Sequence, residues 1–113
     1  MKATILITGE KKEKYLLKTI KSCLDQSYSN FEVILLYSKL NNLKKIKKIF
    51  NNKIRYLKIK RKISNPVKDQ FFKIYKGIRS AKGEFIFLLD GDDIFKKKKL
   101  EKIMRHKNKK NLF

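Results

Sequence analysis

Apolar residues along this chain alternate between short continuous runs and runs with helical spacing. The segments Ala3–Thr8 and Phe31–Tyr37 are short, apolar and rich in β-branched residues, which predicts two buried strands. Between them, apolar positions recur at i, i+4, i+7 and i+8 within residues Glu13–Gln26, which predicts an amphipathic helix. The residues of that stripe are Leu16, Ile20, Cys23 and Leu24.

The next part of the chain repeats this alternation. A stripe of apolar residues between lysines predicts a second helix over Leu40–Phe50, and Ile54–Ile59 alternates apolar with basic residues, as an edge strand does. Asn65 followed by Pro66 predicts the start of a third helix, with the asparagine as its cap. Gly83 is expected to close that helix in a left-handed conformation. The residues expected to face the core from this helix are Val67, Phe71, Ile74 and Ile78.

The fourth apolar run, Phe85–Leu89, has no polar position and is too short to cross a membrane, so it predicts a strand buried on both faces. A last helix is expected around Leu100, before a lysine-rich end. Because strands alternate with helices throughout, we expect an α/β fold with a parallel sheet of about four strands and helices on both faces. The expected domain covers residues 1–104, and residues 105–113 form a basic tail.

Three carboxylates follow the fourth predicted strand, at Asp90, Asp92 and Asp93. In open α/β sheets ligands bind at the carboxyl ends of the strands, so these side chains are expected at a functional edge. Neighbouring carboxylates suit a hard cation such as Mg²⁺ or Mn²⁺, which keeps coordination positions for substrate phosphates. The same residue types form turns and cap helices, so a purely structural role is an equal alternative at this point.

The formal net charge is +21, and lysine supplies nearly all of it. A field of this sign attracts nucleic acid, anionic membrane surfaces and phosphorylated small molecules, so it selects no partner. The single cysteine, Cys23, excludes an internal disulfide and is expected to be a buried, inert thiol. No run reaches the ~20 apolar residues of a membrane span, so we expect a cytoplasmic protein, with peripheral membrane contact as an option.

Residues distributed over most of the chain resemble the amino-terminal half of glycosyltransferase family 2, which has the Rossmann-like GT-A fold. The resemblance runs from about Thr4 to Leu100, and its most specific part is the strand entry Gly83–Ile86 followed by the turn Asp90–Asp93. It implies a GT-A sheet that is truncated relative to complete members. The other matching residues are Tyr15, Leu16, Ile20, Ser22, Gln26, Tyr28, the segment from Asn30 to Ile34, Gly77, Ile78, Ala81, Lys82 and Leu89.

The resemblance implies transfer of a sugar from a nucleotide-diphosphate donor to an acceptor hydroxyl, generally with inversion at the anomeric carbon. In the family, the acidic turn binds the divalent cation that bridges the donor's diphosphate. By position, Asp92 is the implied metal contact, with Asp90 beside it for the metal or the donor's ribose and Asp93 in support. A cation there stabilises the negative charge that develops on the leaving diphosphate.

Three segments depart from the family's pattern, and one of them is Ile74–Tyr75, where the family carries Arg-Asn ahead of the residue that matches Gly77. After its first strand the family usually carries Pro-Thr-Tyr-Asn, whereas Thr8–Lys11 has the sequence Thr-Gly-Glu-Lys. After the second strand, Tyr37 and Ser38 replace the aspartates that usually hold the nucleotide base. Thr8 and Tyr37 are therefore the candidate nucleotide contacts here, and Tyr37 offers a ring for stacking but no carboxylate for the base's N–H groups.

The family's acceptor-binding half and its catalytic base lie beyond the part that this chain resembles. No carboxylate follows Glu101, so we assign no catalytic residue. Three explanations stay open: a fragment of a longer enzyme, an enzyme completed by a second polypeptide, or a degenerate domain without turnover. The competing function is a non-catalytic basic module for nucleic acid or an anionic membrane surface, with an affinity that falls steeply with salt.

Overall fold

The structure, a computed structural model, describes residues 1–60 and 64–110. Two short 3-10 helices, Glu10–Tyr15 and Asn51–Lys53, supplement the regular elements. Those elements are, in chain order, β1 (Ala3–Thr8), α1 (Leu16–Leu24), β2 (Phe31–Tyr37), α2 (Leu43–Phe50), β3 (Arg55–Lys58), α3 (Pro66–Ser80), β4 (Phe85–Asp90) and α4 (Lys99–Lys110). The strands form one four-stranded sheet in the order β3-β2-β1-β4, and every neighbouring pair is parallel.

Helices cover both faces of this sheet, as the alternation of elements predicted. On one face, Ile20 of α1 and Ile46 of α2 are buried in a cluster with Ile5 of β1. On the other face, Leu6 of β1 is buried in a second cluster against which Phe72 of α3 packs. Within residues 1–60 and 64–110, no helix is both long enough and apolar enough to cross a bilayer.

Local sequence signals set several element boundaries as predicted. The strands β1 and β2 have the predicted bounds. The Asn65 side chain accepts hydrogen bonds from the backbone N–H groups of Val67 and Lys68, at 3.0 and 3.1 Å, and so caps α3. At the other end of the chain, α4 continues to Lys110, so the predicted boundary at residue 104 lies inside a helix. Residues 111–113 of the predicted tail lie outside the described part.

The prediction for the buried side of α3 was wrong. Val67 and Phe71, which were expected to face the core, are 63% and 67% exposed. The buried residues of this helix are Lys73 and Gly77, and Phe72 packs against the sheet cluster that contains Leu6. At Gly77 an added Cβ would lie 2.9 Å from Cδ1 of Leu36, so the absence of a side chain allows the helix to approach the sheet there. This close approach, and not the apolar stripe, orients α3.

The prediction that β4 is buried on both faces was also wrong. The strand lies at an edge of the sheet, next to β1 alone among the described strands. Leu88, in the middle of β4, is 55% exposed, on the same face as α3. An apolar run indicates that both faces of a strand are suited to burial. It does not indicate whether residues of this chain cover those faces.

Gly83 has a different role from the predicted left-handed cap. The helix α3 ends at Ser80, and its capping residue Ala81 has an extended conformation. Among the described glycines, the one with positive φ is Gly9. At Gly83 an added Cβ would lie 2.5 Å from Oγ1 of Thr4 and 2.6 Å from the backbone carbon of Ala3. A glycine is required there because β4 enters the sheet in direct contact with the start of β1.

Candidate functional site

The strand order creates a switch point at the carboxyl ends of β1 and β4. From β1 the chain adds β2 and β3 on one side, and it then returns to place β4 on the other side of β1. The last residues of the two strands, Thr8 and Asp90, are partners in the sheet register. In open α/β sheets a crevice opens where the strand order reverses, and ligands bind there. The acidic turn, Asp90–Asp93, therefore lies at the edge where a ligand is expected.

Hydrogen bonds hold the acidic turn in one conformation. Within the turn, Oδ1 of Asp90 accepts from the backbone N–H of Gly91 at 2.8 Å, and the carbonyl of Asp90 accepts from the N–H of Asp93 at 3.0 Å. From α1, the hydroxyl of Thr19 donates to the carbonyl of Gly91 at 2.8 Å, and this bond is buried. Because Thr19 belongs to a helix packed in the core, the turn is fixed to a rigid part of the fold.

Two glycines bring the end of β1 into direct contact with the acidic turn. Gly9 has a φ of 100°, a conformation that side chains disfavour. A Cβ at Gly9 would lie 2.5 Å from both Oδ1 of Asp90 and the backbone nitrogen of Gly91, and one at Gly91 would lie 2.7 Å from the carbonyl oxygen of Gly9. The sequence has Gly9 directly after the predicted first strand, but it does not indicate this contact, because the two segments are far apart along the chain.

The loop that follows the acidic turn is fastened to α1. The hydroxyl of Ser22 accepts from the backbone N–H of Phe95 at 2.9 Å. The Gln26 amide donates to the carbonyl of Lys96 at 2.8 Å and accepts from the N–H of Leu100 at 3.2 Å. Both Ser22 and Gln26 belong to the family resemblance, although the sequence did not indicate what they contact.

The next helix, α4, begins only at Lys99. Asp92 and Asp93 are several residues away from that helix start, so they do not cap it. This removes the structural alternative of a helix cap for these two residues. The role of the carboxylates as turn formers is retained, since Asp90 bonds to the turn backbone.

The exposure of the carboxylates suits a cation that is shared with a ligand. Asp90, Asp92 and Asp93 are all exposed at the edge of the sheet. In the described part of the chain, no group of three or more His, Cys, Asp or Glu side chains is arranged to hold a metal ion alone. Mg²⁺ commonly takes only one or two carboxylates and completes its coordination with water and substrate phosphates. The residues present fit that arrangement and do not fit a closed protein cage.

The two candidate nucleotide contacts are less accessible. Thr8 is 5% exposed, and its hydroxyl accepts from the Gln70 amide of α3 at 2.6 Å. Tyr37 is also 5% exposed, and its ring packs in the core cluster beneath α1 and α2. In this arrangement the Tyr37 ring offers no open face to a base, so a stacking role requires the side chain to move. Both nucleotide contacts stay predictions.

Two other titratable groups have structural roles. Burial raises the pKa of the Cys23 thiol to about 12, in agreement with an inert core residue. At the amino-terminal ends of the strands, away from the acidic turn, the Glu32 carboxylate accepts three hydrogen bonds. The donors are the backbone N–H of Lys82 at 2.6 Å, the Thr4 hydroxyl at 2.7 Å and Arg55 at 2.8 Å. Burial raises the pKa of Glu32, but the Lys82, Thr4 and Arg55 interactions together hold that pKa below its usual value.

The sheet order, the helices on both faces and the acidic turn at the switch point define a Rossmann-like fold of the GT-A class. The family model of glycosyl transferase family 2 matches residues 4–112, so the chain belongs to that family. The predicted family and fold class are thereby confirmed. The amino-acid sequence is also similar to the uncharacterized glycosyltransferase MJ1057 of Methanocaldococcus jannaschii, with 28% identity over 110 residues that cover 92% of this chain and 36% of that protein.

Among solved structures, the fold is similar to that of S. aureus TarS. The TarS 1–349 structure superposes with a TM-score of 0.77 at 21% identity, over 96% of this chain and 33% of that chain. Similar matches, with a TM-score of 0.76, are found for TarS 1–349 in complex with UDP and with UDP-GlcNAc. At this level of identity the likeness shows the fold alone. The present chain spans about a third of the length of these relatives.

Proposed function

We propose that this chain is the donor-binding part of a glycosyltransferase and that it holds a nucleotide-diphosphate sugar through a divalent cation for transfer to an acceptor hydroxyl. The observation that carries the proposal is the position of the acidic turn in a family 2 chain. Its exposed carboxylates follow β4 at the switch point of the sheet, and Gly9, Gly91 and Thr19 fix the turn there.

The carboxylates divide into two roles in this proposal. Asp92 and Asp90 supply the oxygen ligands, as their positions in the family's acidic turn suggest, and Asp93 adds negative charge beside them; all three are exposed. The cation, Mg²⁺ or Mn²⁺, supplies a positive charge that stabilises the nucleoside diphosphate as it leaves. The protein's own contribution is to orient the donor, since the turn is held by backbone contacts that do not need to rearrange on binding.

The nature of the donor is suggested by the structural relatives. TarS structures with the same fold contain UDP and UDP-GlcNAc, so a uridine-diphosphate sugar is the first donor to test. The net charge of +21 favours the approach of such an anion and raises its local concentration. The side chain of Thr8 lies at the end of β1 beside the turn, in register with Asp90, and is the proposed neighbour of the nucleotide.

Calorimetric titration tests the proposal directly. UDP and UDP-GlcNAc are titrated into the protein with Mn²⁺ and with a chelator, at a fixed ionic strength. We expect binding that depends on the cation and that weakens ~10-fold or more in Asp92→Asn, which removes a charged ligand. The matched control is Asp25→Asn, an acid that is also exposed, at the end of α1, and it should bind as the wild type does.

The alternative of a basic module for nucleic acid or anionic membranes makes the opposite prediction. Its affinity would not depend on the cation or on Asp92, and it would fall steeply with salt as counterions are released. Equal heats with Mn²⁺ and with chelator, together with tight, salt-sensitive binding of an unrelated DNA duplex, would favour that alternative. No contact among the described residues specifically supports it.

A further inference from the structure

The edge of the sheet that β3 forms borders a groove with both apolar and basic residues. This groove, of about 630 Å³, is lined by residues of α3 and by residues 57–60, and we call it the β3 groove. Its described lining contains no carboxylate, which favours a ligand that combines negative charge with apolar groups. The lining includes the apolar residues Leu57, Ile59 and Phe72 and the exposed lysines Lys58, Lys60 and Lys76.

The backbone of β3 has a free side next to this groove. Within the described chain, β3 pairs with β2 alone. The N–H of Ile59 donates to the Tyr37 carbonyl of β2 at 2.8 Å. Because alternate residues of a strand direct their backbone groups to opposite sides, the groups of Tyr56 and Lys58 point outwards. Such an edge is a template for one more strand.

On the α3 face, a strand added to β3 would meet apolar side chains and a lysine. Ile59 is buried in the cluster of this face, and Leu57 and Phe72 pack against that cluster. The ammonium group of Lys76 lies 5.4 Å from the centre of the Phe72 ring. Side chains that point into the β3 groove from an added strand would therefore find an apolar surface beside a positive charge.

On the other face, the added strand would meet two more lysines. Side chains alternate along a strand, so Lys58 projects to the same face as Tyr56. The Tyr56 ring packs against the core cluster beneath α1 and α2. The ammonium group of Lys47 in α2 lies 5.3 Å from the centre of that ring. Positive charge thus flanks the free edge of β3 on both faces of the sheet.

We infer that the β3 groove binds an acidic, extended segment of another protein, which pairs with β3 as an additional strand. Lysines at an edge strand oppose pairing with a basic strand, and a second copy of this chain, with its net charge of +21, is repelled. The same lysines attract a strand that carries carboxylates. Arg55 adds little to this attraction, because it already bonds to the Glu32 carboxylate and the Ser80 carbonyl.

The arrangement of the groove favours a peptide over single-stranded nucleic acid. Bases stack on open aromatic faces, whereas Phe72 packs against the sheet and has an ammonium group beside its ring. A free strand edge, in contrast, offers hydrogen bonds that an extended peptide matches in full. The inference goes beyond the proposed donor binding, because β3 and the acidic turn after β4 belong to opposite edges of the sheet.

NMR titration with synthetic peptides tests this inference. A short peptide of alternating valine and glutamate is added to the ¹⁵N-labelled chain at fixed ionic strength, without cation or nucleotide. We expect the signals of Tyr56, Lys58 and Phe72 to shift, and hydrogen exchange at the outward amides of Tyr56 and Lys58 to slow ~10-fold or more at saturation. A peptide of alternating proline and glutamate has the same charge but lacks half of the N–H donors, so it should bind far more weakly.

Two double variants separate the groove from the overall charge. Lys58→Glu/Lys76→Glu should weaken binding of the valine–glutamate peptide ~10-fold or more, because it reverses charge on both faces of the edge. The matched control, Lys98→Glu/Lys102→Glu, lowers the net charge equally at two exposed lysines near and in α4 and should bind as the wild type does.

Three results would overturn the inference. The first is an absence of binding, or shifts spread over all lysine-rich faces. The second is equal affinity for the proline and valine peptides, since charge alone would then explain the binding. The third is displacement of the peptide by a single-stranded oligonucleotide that shifts the same signals at lower concentration, because nucleic acid would then be the occupant. None of these results depends on the proposed donor site.

Discussion

Replacement of Thr19 by valine removes the hydroxyl that joins α1 to the acidic turn. Thr19 is fully buried, and its hydroxyl donates to the Gly91 carbonyl at 2.8 Å. Valine has nearly the same shape, so the change leaves no cavity but leaves the buried carbonyl without this donor. The expected cost is ~1–3 kcal/mol of unfolding free energy. For a domain of this size, that cost corresponds to a fall of roughly 4 °C or more in the unfolding midpoint.

The same change should also loosen the turn that presents Asp92. We therefore expect Thr19→Val to weaken the proposed cation-dependent binding of UDP, measured by calorimetry well below the unfolding midpoint. Thr4→Val is the matched control. Thr4 is also fully buried, and its hydroxyl bonds to Glu32 at the amino-terminal ends of the strands, away from the acidic turn. This variant should therefore lose stability but keep UDP affinity. If Thr19→Val melts with the wild type, the Thr19 bond does not hold the turn, and our account of the site is wrong.

Three further predictions concern the fold. The pKa of Glu32 is lowered in the folded protein. The stability gained from it is therefore present above the unfolded value of ~4.3 and is lost as the pH falls through the folded value, so urea denaturation of Glu32→Gln should lack this acid-dependent loss. The Cys23 thiol, with a pKa of about 12, should react with a thiol reagent at pH 8 only after unfolding; fast labelling of the native protein would contradict its burial. Gly77→Ala should destabilise the protein by ~1–3 kcal/mol, because the new Cβ would lie within 3.0 Å of side-chain atoms of Leu6 and Leu36. This cost should exceed the benefit of alanine's higher helix propensity. An unchanged denaturation midpoint would show that α3 moves away freely.

The sequence was most informative where a single segment determines its own structure. The run Ala3–Thr8 is buried at every position, as its composition predicted for a buried strand. The cap at Asn65 is a contact over a few residues, and its motif predicted it. The family resemblance rested on the order of such segments, together with the acidic turn after the fourth predicted strand, and the family model confirmed it.

The sequence was misleading where contacts join distant parts of the chain. The apolar stripe of α3 was assigned to the core, but the close approach at Gly77 turned another side of the helix to the sheet. At Gly83 a local rule predicted a left-handed cap, while contact with Thr4 is the actual reason for a glycine. The contacts of Thr19 with the acidic turn span more than 70 residues, so no local pattern predicts them.

The errors on α3 and β4 share one physical cause. Periodicity reports which side chains are apolar and not which polypeptide covers them. Phe71 and Leu88 have the character of buried residues, yet both are more than half exposed in this chain.

The central claim is that the acidic turn holds a cation together with a nucleotide diphosphate. Its most direct test is the addition of substoichiometric Mn²⁺ to ¹⁵N-labelled protein in the presence of UDP, because the paramagnetic ion broadens only nearby amide signals. We predict that the signals of Gly91, Asp92 and Asp93 broaden first, while those of Glu32 and Lys82, at the amino-terminal ends of the strands, stay sharp. Broadening centred elsewhere, or none at the turn when UDP is present, would contradict the account.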